Sequence, residues 1–379
     1  MKEILRENKQ WIDETWEKVD KKLSKVAVRS RNKIPFTSVD GVHDNRAERE
    51  VNWWTNGFWG GMMWLMYKET GNEEYRKTAE ESERILDGAF KKYRLLHHDV
   101  GFLWHILAGA NYRITGNEEA CLKSLYAASL LAGRFNVDGN YIQAWRGREK
   151  AGWTIIDTMM NLALLYWASD EIDEDRFRRV AMKHADMAIK DHIRPDGSVN
   201  HIVDHDCDTG EVVQVFAGQG YSEDSCWTRG LAWAMYGSII SYIHTKKKDY
   251  LDAAIKTANY FVANCAAYDY LTPIDFRMPL EPMYYDSTAG VCTACGLLEL
   301  AKYVSEGESK MYTKAAIAIL KATDRHFCNY SDDEDALVLN GSSHYPTHDE
   351  LELQVPIIYG DFFYVEALTK LKESDFFIW

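Results

Sequence analysis

Two short stretches hold residues able to do acid–base chemistry: His97-His98-Asp99-Val100-Gly101-Phe102 and Trp153-Thr154-Ile155-Ile156-Asp157. Each sets a lone carboxylate at or near the start of an otherwise apolar, helix-like run. Burying an unpaired charge is costly, so such a group is either hydrogen-bonded or held for work. Burial raises a carboxyl pKa and a helix N-terminus lowers it. Two carboxylates in differing surroundings can therefore divide acid and base roles between them. Alternatively, each Asp simply caps its helix.

Other polar residues carry open readings. Asn200 to Asp208 places His201, His205, Cys207 and acidic residues at spacings that could bind zinc, or that form a polar turn between two short strands. His201 then projects as a substrate hydrogen-bond donor. Arg229, in Trp227-Thr228-Arg229-Gly230, opens an apolar helix and needs an anion, either a structural Asp or a substrate carboxylate. Arg146, Arg148 and Lys150 either supply cations to an anionic ligand or form a solvated loop. Cys292-x-x-Cys295 lies inside an apolar helical run without a second cysteine pair, which favours packing over redox or zinc chemistry.

The elements that position these residues alternate in character. Apolar stretches run over 57–69, 102–114, 154–168, 228–243, 288–303 and 359–371. Amphipathic ones run over 3–25, 73–92, 117–134, 173–192, 248–266 and 308–327. Met159, Leu162, Leu164, Leu165 and Trp167 leave no polar face on their helix, so it is buried, whereas Tyr75, Ala79, Ser82 and Leu86 form the one-sided stripe of a surface helix. The pentapeptide Thr-Gly-Asn-Glu-Glu recurs at 70–74 and 115–119. Six buried helices alternating with six half-exposed ones predict an all-α (α/α)6 barrel, a six-hairpin toroid forming one domain over residues 1–379. An α-solenoid is the rival, but it has no use for the small, Gly-rich inner helices. Strand signals are sparse, the best being 199–203 and 211–216. In the toroid Asp99 precedes one inner helix and Asp157 sits in the first turn of the next, so they face one shared cavity.

Composition narrows the partners. A net charge of −14 argues against nucleic acid, and an anionic substrate needs local cations. Thirteen Trp and 22 Tyr exceed the needs of the core and suit a sugar-binding cleft. No apolar run reaches the roughly 18 residues of a membrane span. The charged N-terminus lacks a leader pattern, and seven unpatterned Cys fit a reducing cytoplasm. There is no G-x-S-x-G, H-E-x-x-H or P-loop, and no G-x-G-x-x-G opens a helix after a strand.

Six ordered motifs resemble the unsaturated glucuronyl hydrolases of glycoside hydrolase family 88. They are Trp54-Thr55-Asn56-Gly57-Phe58-Trp59-Gly60-Gly61, His97 to Phe102, Gln143-Ala144-Trp145, Ile155-Ile156-Asp157, Trp227 to Trp233 and Gly360 to Leu368. The family fold is also an (α/α)6 barrel. The resemblance implies removal of the 4,5-unsaturated uronic acid that polysaccharide lyases leave at the non-reducing end. The C4=C5 bond is a vinyl ether; it is hydrated, and the resulting hemiketal opens and releases the rest of the oligosaccharide.

Carried over, Asp157 is the general acid and base, and Asp99 positions substrate and tunes Asp157. His98, His201, Gln219 and Arg229 contact substrate, while Trp54, Trp145 and Trp233 stack on sugar rings. Gln219 retains only a Gln-Gly pair of its motif, and Asn56 stands where the family has Asp. Neither a metal nor a cofactor is implied. The acid role predicts a mildly acidic activity optimum. Within 341–360, Asp349, Glu350 and Glu352 without any Lys or Arg predict poor tolerance of sulfated partners there. The alternatives are an unsaturated rhamnogalacturonyl hydrolase, an N-acylhexosamine-type epimerase, or a non-catalytic sugar-binding toroid.

Overall fold

A computed structural model describes residues 1–346 and 352–379. Its inner ring consists of Phe58–Thr70, Val100–Trp104 with Ala108–Thr115, Thr158–Glu171, Thr228–Thr245, Ser287–Leu300 and Ile358–Leu371. Each packs against the next, and the sixth returns to the first, closing the ring. The outer helices are Lys2–Glu7 with Lys9–Arg29, Glu73–Leu86, Glu118–Ala132, Arg176–Asp191, Lys248–Ala266 and Glu306–His326. This is the (α/α)6 toroid that the alternating hydropathy predicts. Lys9–Arg29 lies against the last inner helix, as ring closure requires.

The recurrent pentapeptide is the turn between an inner and an outer helix. Gly71 and Gly116 end inner helices at positive φ (69° and 75°), where a side chain is strained. The following Asn72 and Asn117 accept backbone N–H bonds from the next helix through their side chains.

Two elements differ from expectation. The second inner helix breaks between Trp104 and Ala108, where Leu107 leaves helical geometry. There Gly61 of the first inner helix presses on the Ile106 carbonyl. Thr154 and Ile155, read as the start of a helix, belong instead to a strand, Trp153–Ile155. It pairs antiparallel with Ile202–His205, which pairs with Val212–Phe216. Thr154 and Ile155 are β-branched and suit this ladder, so the helix starts only at Thr158. The strands expected at 199–203 and 211–216 shift accordingly.

At its end the chain turns back into the barrel. Trp379 is buried among Phe102, Phe362 and Phe363, and its indole N–H donates to Glu366. Cys292 and Cys295 are buried in the fifth inner helix, and the Cys295 thiol donates to the Phe363 carbonyl, so the pair serves packing. No helix among the described residues is long and apolar enough to cross a membrane.

Candidate active site

Asp99 and Asp157 each occupy the residue before an inner helix, yet neither side chain caps it. The capping reading therefore fails for both. Each carboxylate instead lines one cavity of about 350 Å3, together with Trp54, His98, Trp145, Gln219, Arg229 and Tyr359 among others.

Asp99 is wrapped in donors. His98 Nε2 lies 3.2 Å from Oδ1 and His97 Nδ1 3.3 Å from Oδ2. The other His98 nitrogen lies 3.0 Å from the Ala144 carbonyl, which can only accept. Both His98 nitrogens thus face acceptors, which favours the protonated ring. Burial, the largest single influence, opposes that charge, but the Asp99 charge and hydrogen bond together with Asp157 and the Ala144 carbonyl raise the His98 pKa. Burial likewise opposes Asp99 ionisation, and the His98 charge with the two histidine hydrogen bonds holds its carboxyl well below the usual range. Asp99 is accordingly a fixed anion.

Asp157 is equipped differently. Its Oδ2 is buried without a hydrogen-bond partner and lies 3.4 Å from His201 Nε2. His201 Nδ1 accepts the Gln219 backbone N–H at 2.9 Å, so the ring proton sits on Nε2, facing Asp157. Trp227 packs against the same ring at 4.4 Å. A carboxylate that lines the cavity and is not locked by hydrogen bonds can give and take a proton.

Asn161 links the two halves. It lies one turn beyond Asp157, and its amide nitrogen reaches Asp99 Oδ1 at 3.3 Å and the Asp157 carbonyl at 3.2 Å. Its oxygen accepts the Phe102 N–H at 2.8 Å. Gly101 permits this approach, because a Cβ there would stand 2.7 Å from the Asn161 oxygen. Sequence reasoning missed Asn161; the signal was a lone Asn in a helix otherwise apolar all round. It also missed Tyr359, whose buried hydroxyl lacks a partner and whose ring stacks obliquely on Trp54 at 5.2 Å.

Arg229 resolves toward the structural reading. Its guanidinium binds Asp286, the Ser342 carbonyl and the Ser343 carbonyl, and sits 4.5 Å from the Trp227 ring centre. Only Nε is left without a partner. It orders the wall at 342–343 while still lining the cavity. Gln219 ties to the same wall, donating to Ser343 O at 2.5 Å.

Trp54 and Trp145 line the cavity, and Trp145 stands edge-on to His98 at 5.5 Å. Trp233 does not reach it: fully buried, it packs on Phe102 and Phe363. It is a core residue because its helix position faces the ring centre rather than the mouth. His201 stands behind Asp157 rather than in the cavity wall. Asn56 is buried and donates to the Glu50 and Val51 carbonyls, which makes it a turn residue. Glu352 lines the cavity and accepts from Ser343; Asp349 and Glu350 lie outside the described residues.

The zinc reading of 200–208 fails on geometry. His205 binds Asp191 and the Gly152 carbonyl, and Asp206 organises the turn through the Asp208 and Thr209 amides. Among the described residues, one group has metal-ligand spacing, His97, His98 and Asp99. There the carboxylate oxygens already face histidine nitrogens, one of which is protonated.

No family model matches the chain. It is 34% identical over 329 residues to the unsaturated glucuronyl hydrolase of Bacillus sp. (strain GL1), covering 85% of this chain and 86% of that one. It is 32% identical to the unsaturated chondroitin disaccharide hydrolase of Streptococcus pneumoniae, covering 89% and 85%. The crystal structure of the Bacillus sp. GL1 enzyme superimposes with a TM-score of 0.87 at 31% identity, over 94% of this chain and 97% of that one. An unsaturated glucuronyl hydrolase specific for heparin gives 0.87 at 27% identity, over 96% and 97%. Identity sustained over most of both sequences, on a shared toroid, makes this chain a member of the unsaturated glucuronyl hydrolase family.

Proposed function

We propose that the protein removes the 4,5-unsaturated uronic acid from the non-reducing end of oligosaccharides released by polysaccharide lyases. The observation that carries this reading is the unequal pair in one cavity: Asp99 locked as an anion, and Asp157 lining the same cavity with its buried Oδ2 free of hydrogen bonds. A solved relative holds an oligosaccharide beginning with an unsaturated glucuronate, dGlcA-Glc-Rha-Glc, which supports the substrate class.

In the reaction, protonated Asp157 delivers its proton to C4 of the vinyl ether and positive charge develops at C5. The ionised Asp157 then takes a proton from water as its oxygen bonds to C5. The hemiketal so formed opens at its C5–ring-oxygen bond, giving a ketone at C5 and a hemiacetal at C1. That hemiacetal collapses to the aldehyde, breaking the bond to the neighbouring sugar, whose oxygen takes up the hydroxyl proton as it leaves. Asp99 contributes fixed negative charge near the developing cation. His201 steadies the Asp157 carboxylate through Nε2–H, and Trp54 and Trp145 offer faces for sugar rings.

No step calls for a metal or cofactor. The net charge of −14 supports a partner list without nucleic acid, seven free thiols support a cytoplasmic setting, and the closed ring supports a single domain over 1–379. The test is incubation with unsaturated chondroitin and heparin disaccharides. Loss of the ultraviolet band of the conjugated C4=C5 carboxylate, with release of the partner sugar, is expected. An unchanged band on every uronyl disaccharide would contradict the reading.

A further inference from the structure

Beside the reaction cavity lies a second hollow of about 250 Å3, lined by Tyr93, His97, Arg134, Gln143 and Arg146 among others. The two hollows share His97, whose Nδ1 stands against Asp99. Among the described residues no Asp or Glu lines this second hollow, although acidic residues outnumber Lys and Arg by 58 to 44 along the chain. Its positive character therefore runs against the charge of the whole molecule.

The two guanidiniums are held from behind. Arg134 donates through Nε to the Gln143 carbonyl at 2.8 Å and through Nη2 to the Ala144 carbonyl at 3.3 Å. Exposed Arg146 donates to the Tyr93 carbonyl and lies 4.9 Å over the Tyr93 ring. Among the described residues neither has a carboxylate partner, and Arg134 Nη1 is uncommitted. Burial and then the neighbouring Arg146 charge push the Arg134 pKa down to about 10. Two like charges kept close, with Asp99 acting on Arg134 but forming no ion pair with it, are relieved by binding an anion. Lys150, 5.8 Å over the Trp145 ring, carries the positive field to the mouth of the reaction cavity.

We propose that this hollow is an oxyanion site in which Arg134 and Arg146 hold a sulfate ester or carboxylate, carried on the substrate or arriving as a free ion. Planar, preorganised donor forks suit such oxygens. The site lies on a different flank from Glu352, so a sulfate is admitted or rejected according to the side on which the sugar presents it. The substrate-borne case rests on the proposed hydrolase reading; the free-ion case does not.

The test is calorimetric titration of sodium sulfate into the whole protein at constant ionic strength. Wild type should bind saturably, and R146A and R134Q should each weaken binding about tenfold, as the loss of one charge-assisted contact predicts. Arg146 is exposed, so R146A keeps the fold even where R134Q does not. In parallel, kcat/KM is measured on unsaturated disaccharides with and without sulfate. A loss in R146A confined to sulfated substrates assigns the site to the substrate. Unchanged kcat/KM on all of them, with sulfate binding lost, assigns it to a free ion. Sulfate binding no different from that of chloride, with R146A treating every disaccharide as wild type does, overturns the proposal. If wild type turns over no disaccharide at all, the hydrolase reading fails, and the calorimetry still decides whether the hollow binds an oxyanion.

Discussion

The Asn161 side chain donates to the Asp99 carboxylate at 3.3 Å while standing one helical turn from Asp157. One amide thus couples the fixed anion to the helix that presents the proposed acid. Its oxygen simultaneously anchors the Phe102 N–H, so the Asp99 helix and the Asp157 helix cannot shift independently.

Replacing Asn161 with Ala should leave the buried Phe102 N–H unsatisfied, costing about 1–3 kcal/mol. Asp99 loses a partner as well, so kcat should fall more than KM rises. Thermal unfolding and steady-state kinetics on one preparation check both. Full kcat with lowered stability would reduce Asn161 to a purely structural residue.

His98 gives the pH dependence its sign. Against burial, the largest single influence, its folded pKa is raised above 6.5 by Asp99, with Asp157 and the Ala144 carbonyl. The attraction is therefore fully present below 6.5 and lost as pH rises through the folded value. Activity should decline on that alkaline limb, and H98Q should remove the limb while lowering kcat throughout. An alkaline limb unchanged in H98Q would assign it to another group.

Arg229 and Asp286 form a buried pair, 1% and 0% exposed. R229M strands the Asp286 charge and should cost about 3–5 kcal/mol. Because Arg229 also holds the Ser342 and Ser343 carbonyls, KM should rise in whatever fraction remains folded. The double variant R229M/D286N should recover part of the stability in denaturant titrations and little of the KM.

Asp361 makes a contribution to stability that opposes alkaline pH. Burial pushes its carboxyl up to about 7, against the Leu337 and Val338 N–H groups that bond its oxygens. The folded state holds a proton that the unfolded state releases above 3.8. This contribution is complete below that value and fades as pH rises through about 7. Melting temperature should fall as pH rises from 3.8 to about 7 in wild type and level off above, and D361N should flatten that slope.

The toroid was legible because its inner helices are apolar on every side and its outer ones on one, a contrast that survives in a single sequence. Asp99 and Asp157 were legible as charges out of place in such runs. Trp153–Ile155 was not, because a β-branched strand flows into a helix with no polar break. The roles of Arg229 and Trp233 depended on what lies across the barrel, Asp286 for one and Phe363 for the other. Arg134 and Arg146 are twelve residues apart and meet only after the Phe135–Asn136 and Tyr141–Ile142 hairpin folds back.

The most direct test compares wild type with Asp157→Asn on an unsaturated uronyl disaccharide, following the ultraviolet band of the C4=C5 carboxylate, with circular dichroism as the check on folding. The band should vanish with wild type and persist with a folded D157N. A folded D157N that still bleaches the band at the wild-type rate would contradict the assignment of Asp157 as the group that protonates C4.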